Sequence, residues 1–498
     1  MDPLLVLVSI ITFFAVCFFI AHQGKMRTEK TIEEYFIAGR KIGSFIAAMT
    51  YSATTYSAFM MVGLVGLTAI HGVGALGFEL IYLMGLMLAV LLSLRFYVAS
   101  RKWNLVTPAQ LLAERYGSPL LGMIVAVLYH VFLIPYMAAQ LIGVGVLVSG
   151  LTNNALPFEF GATLVIVVAF AYTLWGGMRA VAWTDALQAI VMLVSSIVML
   201  LAVFQLAGGI GAVFDKLAQD VEILGVPGPH NKFTLPTFVS MTIPWFFFCI
   251  SNPQVVQRFY VPKSVRSLRN MIGGFLVFGF AYTVIVTLLG LVAHIVVPGV
   301  KDQNMVTPTL LTMVWEPIAL IAVLGILAAS ISTLDSIMLT LSSEFAVNVV
   351  KAVRPKFDES KALLVGRVFM VIIALATLSF SFTKGFIVDL AVTSSSWLLQ
   401  LVPTFIAALV WRRANKVSAY ASIVAGITVT GVLTFSRYAL QLGQLTSWIQ
   451  NVLQFDPGVW GLLAATLTLL ASSLITKAEE RGERFVKEVE ESLKTLLK

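Results

Sequence analysis

The 498-residue chain is 59% hydrophobic and only 12% charged, where a soluble protein carries about 25% charged residues. That balance excludes an ordinary soluble domain and implies a polytopic membrane protein. The net charge of +8 does not mark a nucleic-acid partner, because the basic residues fall in short loops between apolar runs.

Apolar stretches near 20 residues predict membrane helices. In chain order they cover residues 3–22, 42–66, 74–98, 120–150, 159–176, 181–207, 236–251, 270–293, 316–342, 363–383, 387–411, 417–436 and 457–476, thirteen in all. The first lacks a basic n-region and an A-x-A-like cleavage site, so it reads as a retained helix. The stretch 120–150 exceeds one untilted span and predicts tilt or an extension beyond the bilayer. Placing alternate loops on alternate sides puts 28 of the 33 Lys and Arg on one face. The other face holds only Lys216, Lys232, Lys301, Lys384 and Arg437. By the positive-inside rule the rich face is cytoplasmic, the N-terminus is outside and the C-terminus inside, which requires an odd number of spans. The outer segment 208–235, with Gly208–Gly209 and GVPGPH at 225–230, reads either as a lid over an outer vestibule or as a surface loop. The tail from Lys477 alternates Glu and Lys at helical spacing and reads as a solvated cytoplasmic helix. Cys17 and Cys249 lie in apolar runs and read as buried free thiols.

Two clusters carry polar chemistry inside spans. Residues 50–57 read TYSATTYS, seven hydroxyls in eight positions, within a segment that otherwise spans. Hydrocarbon leaves such groups unsatisfied, so they face protein, a water-filled cavity or an ion. Ser and Thr compete for backbone groups and favour helix breaks. An unwound turn at residues 53–56 would turn carbonyls toward a cation, as discontinuous helices do in transporters; the alternative is interhelical hydrogen bonding. The second cluster is SISTLDS at 330–336. Ala329, Thr333, Ser336 and Thr340 are spaced 4, 3 and 4 apart and fall on one stripe. Ser332 and Asp335 flank it. Oxygen donors without His or Cys suit a hard cation. Asp335 is ionisable inside a span, which makes it either a coupling group or a structural carboxylate capped by hydroxyls. Asp185, in the sequence WTD, reads as an N-cap or a partner of Arg179, or as a guide for an exiting ion. His130 and His294 read as packing residues. In WFFF at 245–248 the aromatic run is either packing or an inner gate, and Pro253 breaks its helix because it lacks an amide hydrogen.

At this point the chain resembles the sodium:solute symporter family, whose prokaryotic members include proline, pantothenate and monocarboxylate-like symporters. The resemblance covers nearly the whole chain. It is carried by EYFIAGRKIG at 34–43, TPAQLLAERYG at 107–117, GGMRAVAWTDALQ at 176–188, PQVVQRFYVPKS at 253–264 and the P-T-F to W-R-R-A run at 403–414. It implies an all-α polytopic membrane protein, a LeuT-type inverted repeat of five plus five helices. The first repeat would be residues 42–207 and the second 236–411, with an extra helix at 3–22, two more at 417–476 and a charged tail at 477–498. It also implies a sodium site between the first and eighth core helices, with carbonyls from Ala53, Tyr56 and Ala329 and hydroxyls from Ser332 and Thr333. The family's solute site lies beside it. Its positions here are Met60, Glu79, Tyr82, Tyr136, Gln140, Trp245, Phe247, Phe248 and Ser395, with Asp335 and Asp185 as coupling or ion-exit groups. Where proline symporters carry Asp, this chain has Thr55, which weakens a proline-type site. The resemblance further implies Na⁺ as the co-transported ion and a small solute, organic acid or amino acid, as the other partner. The setting would be membrane lipid of the plasma (inner) membrane, with a monomer as the functional unit. Proton coupling in the same fold stays open. A channel is disfavoured by the lack of a repeated filter motif. An enzyme is disfavoured by the lack of H-E-x-x-H, G-x-S-x-G or P-loop motifs.

Overall fold

The computed structural model describes residues 1–25, 31–441 and 451–497. Arg27, Lys30 and Lys498, counted above with the basic face, lie outside the described residues. The described chain is helical, with one isolated bridge between Ile42 and Pro262. In order the helices are α1 Pro3–Lys25, α2 Ile32–Ile37, α3 Ser44–Thr55, α4 Val65–His71, α5 Gly74–Lys102, α6 Pro108–Arg115, α7 Pro119–Leu151 and α8 Phe158–Leu206. Then come α9 Ile210–Gln219, α10 Val221–Leu224, α11 Leu235–Phe246, α12 Phe248–Ser251, α13 Pro253–Arg258, α14 Val265–Val296, α15 Gln303–Leu311 and α16 Glu316–Glu344. The chain continues through α17 Lys351–Val353, α18 Glu359–Ser381, α19 Ile387–Leu398, α20 Val402–Val410, α21 Lys416–Gln441, α22 Pro457–Ile475 and α23 Glu480–Leu497.

Among the described residues ten helices are long and apolar enough to cross a membrane, or eleven if the bent pair formed by α3 and residues 59–71 counts as one span. Three of the thirteen expected segments are joined or broken differently from the expectation. The stretches 159–176 and 181–207 follow one another without a loop, as two helices that meet at a kink with non-helical backbone at Gly177 (φ 58°, ψ −157°) and are numbered together as α8. The stretch 236–251 is broken at Phe247 into α11 and α12. α7 keeps its full 33 residues, about 50 Å at 1.5 Å per residue, well beyond a hydrocarbon core of about 30 Å.

Several helix starts follow from local chemistry. Thr107–Pro108, Ser118–Pro119 and Asp456–Pro457 each place a side-chain oxygen on an early amide and a proline where no amide is needed. Gly177 is required for two reasons. Its φ is positive, and a Cβ there would sit 2.4 Å from the Tyr35 carbonyl oxygen. Gly177→Ala is expected to cost about 1–3 kcal/mol from backbone strain alone, before the clash. The check is folded yield on size exclusion; native yield and melting temperature would show that the turn does not need glycine.

The loops gather on two opposite faces. On one, segment 208–235 is seated rather than loose. Val73 N donates to Ile223 O at 2.9 Å, across the turn between α4 and α5. Asp220 caps α10 through Ile223 N (3.1 Å) and faces His294 Nε2 at 3.0 Å. The Ile223 amide, helped by His294, holds the Asp220 carboxyl below its ordinary range. The stabilisation from that cap is therefore complete above the ordinary carboxylate pKa and is lost as pH falls through the lower folded value. His294 is more than packing, since its Nδ1 also meets Ala69 O at 2.8 Å. His130 likewise lies between Ala126 O and Leu341 O.

On the opposite face the tail is not free in solvent. The Phe485 ring stacks on Trp103 at 4.0 Å between centroids, and Val486 and Val489 are buried. Arg481 pairs with Glu114 at 2.5 Å and Lys102 with Glu488 at 3.0 Å, and Arg412 binds Glu490. α23 thus lies across the ends of α5, α6 and α20. Nearby, Arg115 is fully buried and donates to the carbonyls of Ala408, Trp411 and Ala414. These are carbonyls at the end of α20 and in the turn after it, where a helix terminus leaves acceptors free; Trp411 O also accepts from Ala414 N at 3.3 Å. Cys17 and Cys249 are buried free thiols, as expected.

Candidate functional site

The site begins with a break. Tyr56 leaves the helix at φ −94°, ψ 129°, so the last rung of α3 runs from Tyr56 N to Ser52 O at 3.0 Å. The carbonyls from Ala53 onward then lack intrahelical donors. Ala53 O is met instead by α16. Ser332 Oγ donates to it at 2.9 Å and Thr333 Oγ1 approaches it at 3.5 Å. Ser332 Oγ also reaches Ala329 O at 3.1 Å. Four of the five expected sodium ligands therefore converge. Among the described residues no hydrogen bond ties the Tyr56 carbonyl to the other four.

The stripe on α16 is real, and its three hydroxyl members each find a partner opposite. Thr333 faces the end of α3. Ser336 and Thr54 share a hydroxyl bond of 2.8 Å. Thr340 Oγ1 donates to Gln257 Oε1 at 2.7 Å. Asp335 lies off the stripe. It is fully buried beside α8, where Thr173 Oγ1 approaches its backbone carbonyl at 3.4 Å. Its carboxylate oxygens have no hydrogen-bond partner among the described residues, so the hydroxyl cap expected for it is not formed.

Asp185 is neither an N-cap nor a partner of Arg179. α8 runs through it, and Arg179 pairs with Glu34 at 2.5 Å. Asp185 is fully buried. Its Oδ2 accepts from Thr50 Oγ1 at 2.6 Å and lies 3.6 Å from Arg258 Nη2. Arg258 also donates to Ser336 Oγ at 2.5 Å. A polar chain, Thr50–Asp185–Arg258–Ser336–Thr54, thus leads from beside the expected sodium ligands toward the start of α3. Arg258 was counted with the basic loops above. The structure corrects that: the side chain is wholly inside. Its signal was faint, because it sits only five residues before Lys263 at the edge of a loop.

On the other side of the break lies a small enclosed space. It is lined by Thr55, Tyr56, Phe59, Met60, Glu79, Tyr82, Tyr136, Trp245 and Phe248. Trp245 Nε1 donates to Glu79 Oε1 at 3.0 Å. The second break shapes this wall. α11 stops at Phe247, and Asn252 turns extended at φ −93°, ψ 117° before Pro253 starts α13. That backbone nearly repeats the one at Tyr56. Of the expected solute residues, Met60, Glu79, Tyr82, Trp245 and Phe248 line the space, and Tyr136 joins them. Three do not. Phe247 is half-buried and faces an apolar groove with Val402, Pro403 and Ile406, because the break turns it away from its neighbours. Gln140 instead holds the restart of the broken helix, its Oε1 accepting from Ala58 N at 3.0 Å. Ser395 is buried in α19, outside the lining. Phe59 was missed, though the turn after the break places it beside Trp245, 5.2 Å between ring centroids.

The family model described as the sodium:solute symporter family matches residues 35–426. The sodium/pantothenate symporter of Escherichia coli (strain K12) is 27% identical over 488 residues, covering 94% of this chain and 96% of its own. The high-affinity proline transporter of Bacillus subtilis (strain 168) is 27% identical over 417 residues, covering 79% and 85%. Among solved structures, a substrate-bound outward-open Na⁺-coupled sialic acid symporter superposes with a TM-score of 0.78 at 16% identity, over 95% of this chain and 98% of that one. MhsT in complex with L-phenylalanine gives 0.52 at 14% identity, over 86% and 97%. Those structural likenesses show a common helical fold of the LeuT type. The family model spans most of the chain, which therefore belongs to the sodium:solute symporter family, a family of transporters and not of enzymes.

Proposed function

We propose that this chain couples Na⁺ to the uptake of a small polar organic solute, by alternating access across the plasma membrane. The observation that carries the reading is the set of oxygens around Ala53 O, Ala329 O, Ser332 Oγ and Thr333 Oγ1 at the break of α3. Hard oxygen donors at an unwound turn are what a transporter uses to hold Na⁺. Tyr56 completes the proposed ligand set. Asp185 and its chain to Ser336 form the proposed way out for the ion, and Asp335 is the proposed second coupling group. The proposed architecture has thirteen crossings in two inverted repeats of five, the N-terminus outside and the C-terminus in the cytoplasm. The 28-to-5 split of basic residues supports that orientation. The functional unit is a monomer in lipid.

Energetics limit the solute. Na⁺ entering down 100 mV gains about 2.3 kcal/mol, and a tenfold Na⁺ gradient adds about 1.4 kcal/mol. One ion then supports roughly 500-fold accumulation of a neutral or zwitterionic solute. A monoanion cancels the charge, and about tenfold remains, so an organic acid needs a second ion. Pantothenate-like acids, proline-like amino acids and monocarboxylates are the solute classes in question.

The test is thermal unfolding of the purified protein in Na⁺ against K⁺ at two pH values. A ligand of the native state raises apparent stability. A rise in Na⁺ at both pH values is expected. A rise that ignores Na⁺ and needs low pH would replace the reading with proton coupling centred on Asp335.

A further inference from the structure

The cavity beside the break is unusual in its charge and its walls. Glu79 is 1% exposed. One of its carboxylate oxygens is taken by Trp245, and the other has no hydrogen-bond partner among the described residues. No Lys, Arg or His is among the lining residues. The rest of the wall is largely aromatic. Tyr82 meets Phe248 edge-on at 5.7 Å and Tyr56 at 6.0 Å, Trp245 meets Phe248 at 5.5 Å, and Tyr136 meets Phe248 at 6.1 Å.

We propose that the transported solute presents a positively charged nitrogen, seated among the rings of Tyr56, Phe59, Tyr82, Tyr136, Trp245 and Phe248 against the free oxygen of Glu79. The proposal rests on the symport reading and narrows its solute to amines, quaternary ammonium compounds and zwitterions.

Three physical points carry it. A buried carboxylate oxygen without a partner is costly, and a cation would supply the missing charge. Ring faces are electron-rich and attract cations, with desolvated sites the strongest. A pure anion would meet a carboxylate and ring faces of the same sign, with no basic side chain to offset them. A polyol fares little better, since beyond Glu79 the wall offers mainly the single hydroxyls of Tyr56, Tyr82, Tyr136 and Thr55, each set among rings. Tyr56 is within 3.4 Å of Thr283, and Thr55 already donates to Tyr51 O at 2.6 Å.

The cage also explains how such a solute would be felt by the fold. As it stands the space is about 10 Å³, room for about a single water. A nitrogen with its substituents needs more, so the rings must part. Tyr56 and Phe59 flank the first helix break, and Trp245 and Phe248 flank the second. The rings therefore ride on the two places where the backbone can change angle, and seating the cation moves both.

The test uses the full-length purified protein and thermal unfolding at constant total salt. The probes are tetramethylammonium, choline, proline, pantothenate and 3,3-dimethylbutan-1-ol, the uncharged carbon isostere of choline. In Na⁺, at least one of the three probes with a charged nitrogen (tetramethylammonium, choline or zwitterionic proline) is expected to give a saturable rise, and the isostere and pantothenate none at the same concentration. Glu79→Gln keeps an acceptor for Trp245 and removes the charge, so it is expected to weaken that response at least tenfold. The response of the variant to Na⁺ alone reports whether it is folded. A rise with pantothenate, no rise with any of the three charged-nitrogen probes, or an unchanged response in Glu79→Gln would overturn the cage. Loss of the Na⁺ response in the native protein would instead overturn the symport reading, and the same probes compared in K⁺ would then judge the cage by itself.

Discussion

Replacing Ser332 and Thr333 together by alanine raises the Na⁺ concentration needed for half-maximal stabilisation by about 100-fold or more. The estimate follows from the chemistry of the proposed site. A hydrogen-bonding group facing a charge contributes about 1.5 kcal/mol or more. Two such groups lost together give about 3 kcal/mol, which is more than 100-fold in affinity. Alanine is a good helix former, so α16 itself is expected to survive and expression to stay near native. Thr340→Ala is the internal control. It lies on the same stripe but bonds Gln257, and its Na⁺ response is expected to match the native one. Thr333→Ser keeps the hydroxyl and should lie between native and the double variant. Titration of the melting temperature with Na⁺ decides the matter, and an unshifted midpoint in the double variant would move the ion elsewhere.

The second large effect concerns Arg258. Its guanidinium is fully buried, 3.6 Å from Asp185 and hydrogen-bonded to Ser336. Removing one partner of such a pair leaves an uncompensated interior charge, which costs about 3–5 kcal/mol. Arg258→Met is therefore expected to lower the melting temperature sharply. Adding Asp185→Asn removes the stranded charge while leaving an acceptor for Thr50, and most of the loss should return. Unfolding of the two variants side by side is the measurement. If the double variant is as unstable as the single one, Arg258 supports the core through packing and not through Asp185.

How much of this could be read from residues alone depends on what each signal requires. The stripe at 329, 333, 336 and 340 was legible because helical spacing fixes a face whatever lies opposite. The breaks near Tyr56 and Pro253 were legible because a run of hydroxyls and a proline each oppose helix locally. The division of residues 158–206 was legible because Gly176, Gly177 and Arg179 interrupt the apolar runs, and the kink falls there, at Gly177, without a loop. Phe247 was misplaced. Its neighbours in sequence face the cavity, but the break between α11 and α12 rotates it outward. Arg258 and Asp185 were visible as residues and invisible as a pair, because they lie 73 positions apart and meet only once α8 and α13 pack around α3. The tail misled by composition. Its many Glu and Lys conceal the three apolar side chains, Phe485, Val486 and Val489, that decide where it sits.

That last contact has a bearing on how the chain comes to be assembled. Trp103 belongs to an early part of the polypeptide, and the ring that covers it, Phe485, is synthesised long afterwards. Chains fold from the N-terminal side as they are made. The ends of α5 and α6 therefore wait, with Trp103, Lys102 and Glu114 uncovered, through the insertion of every span between them. The docking of α23 is a late event in biogenesis, and until it happens the nascent transporter offers the cell's chaperones and proteases an indole face that Phe485 covers in the mature protein.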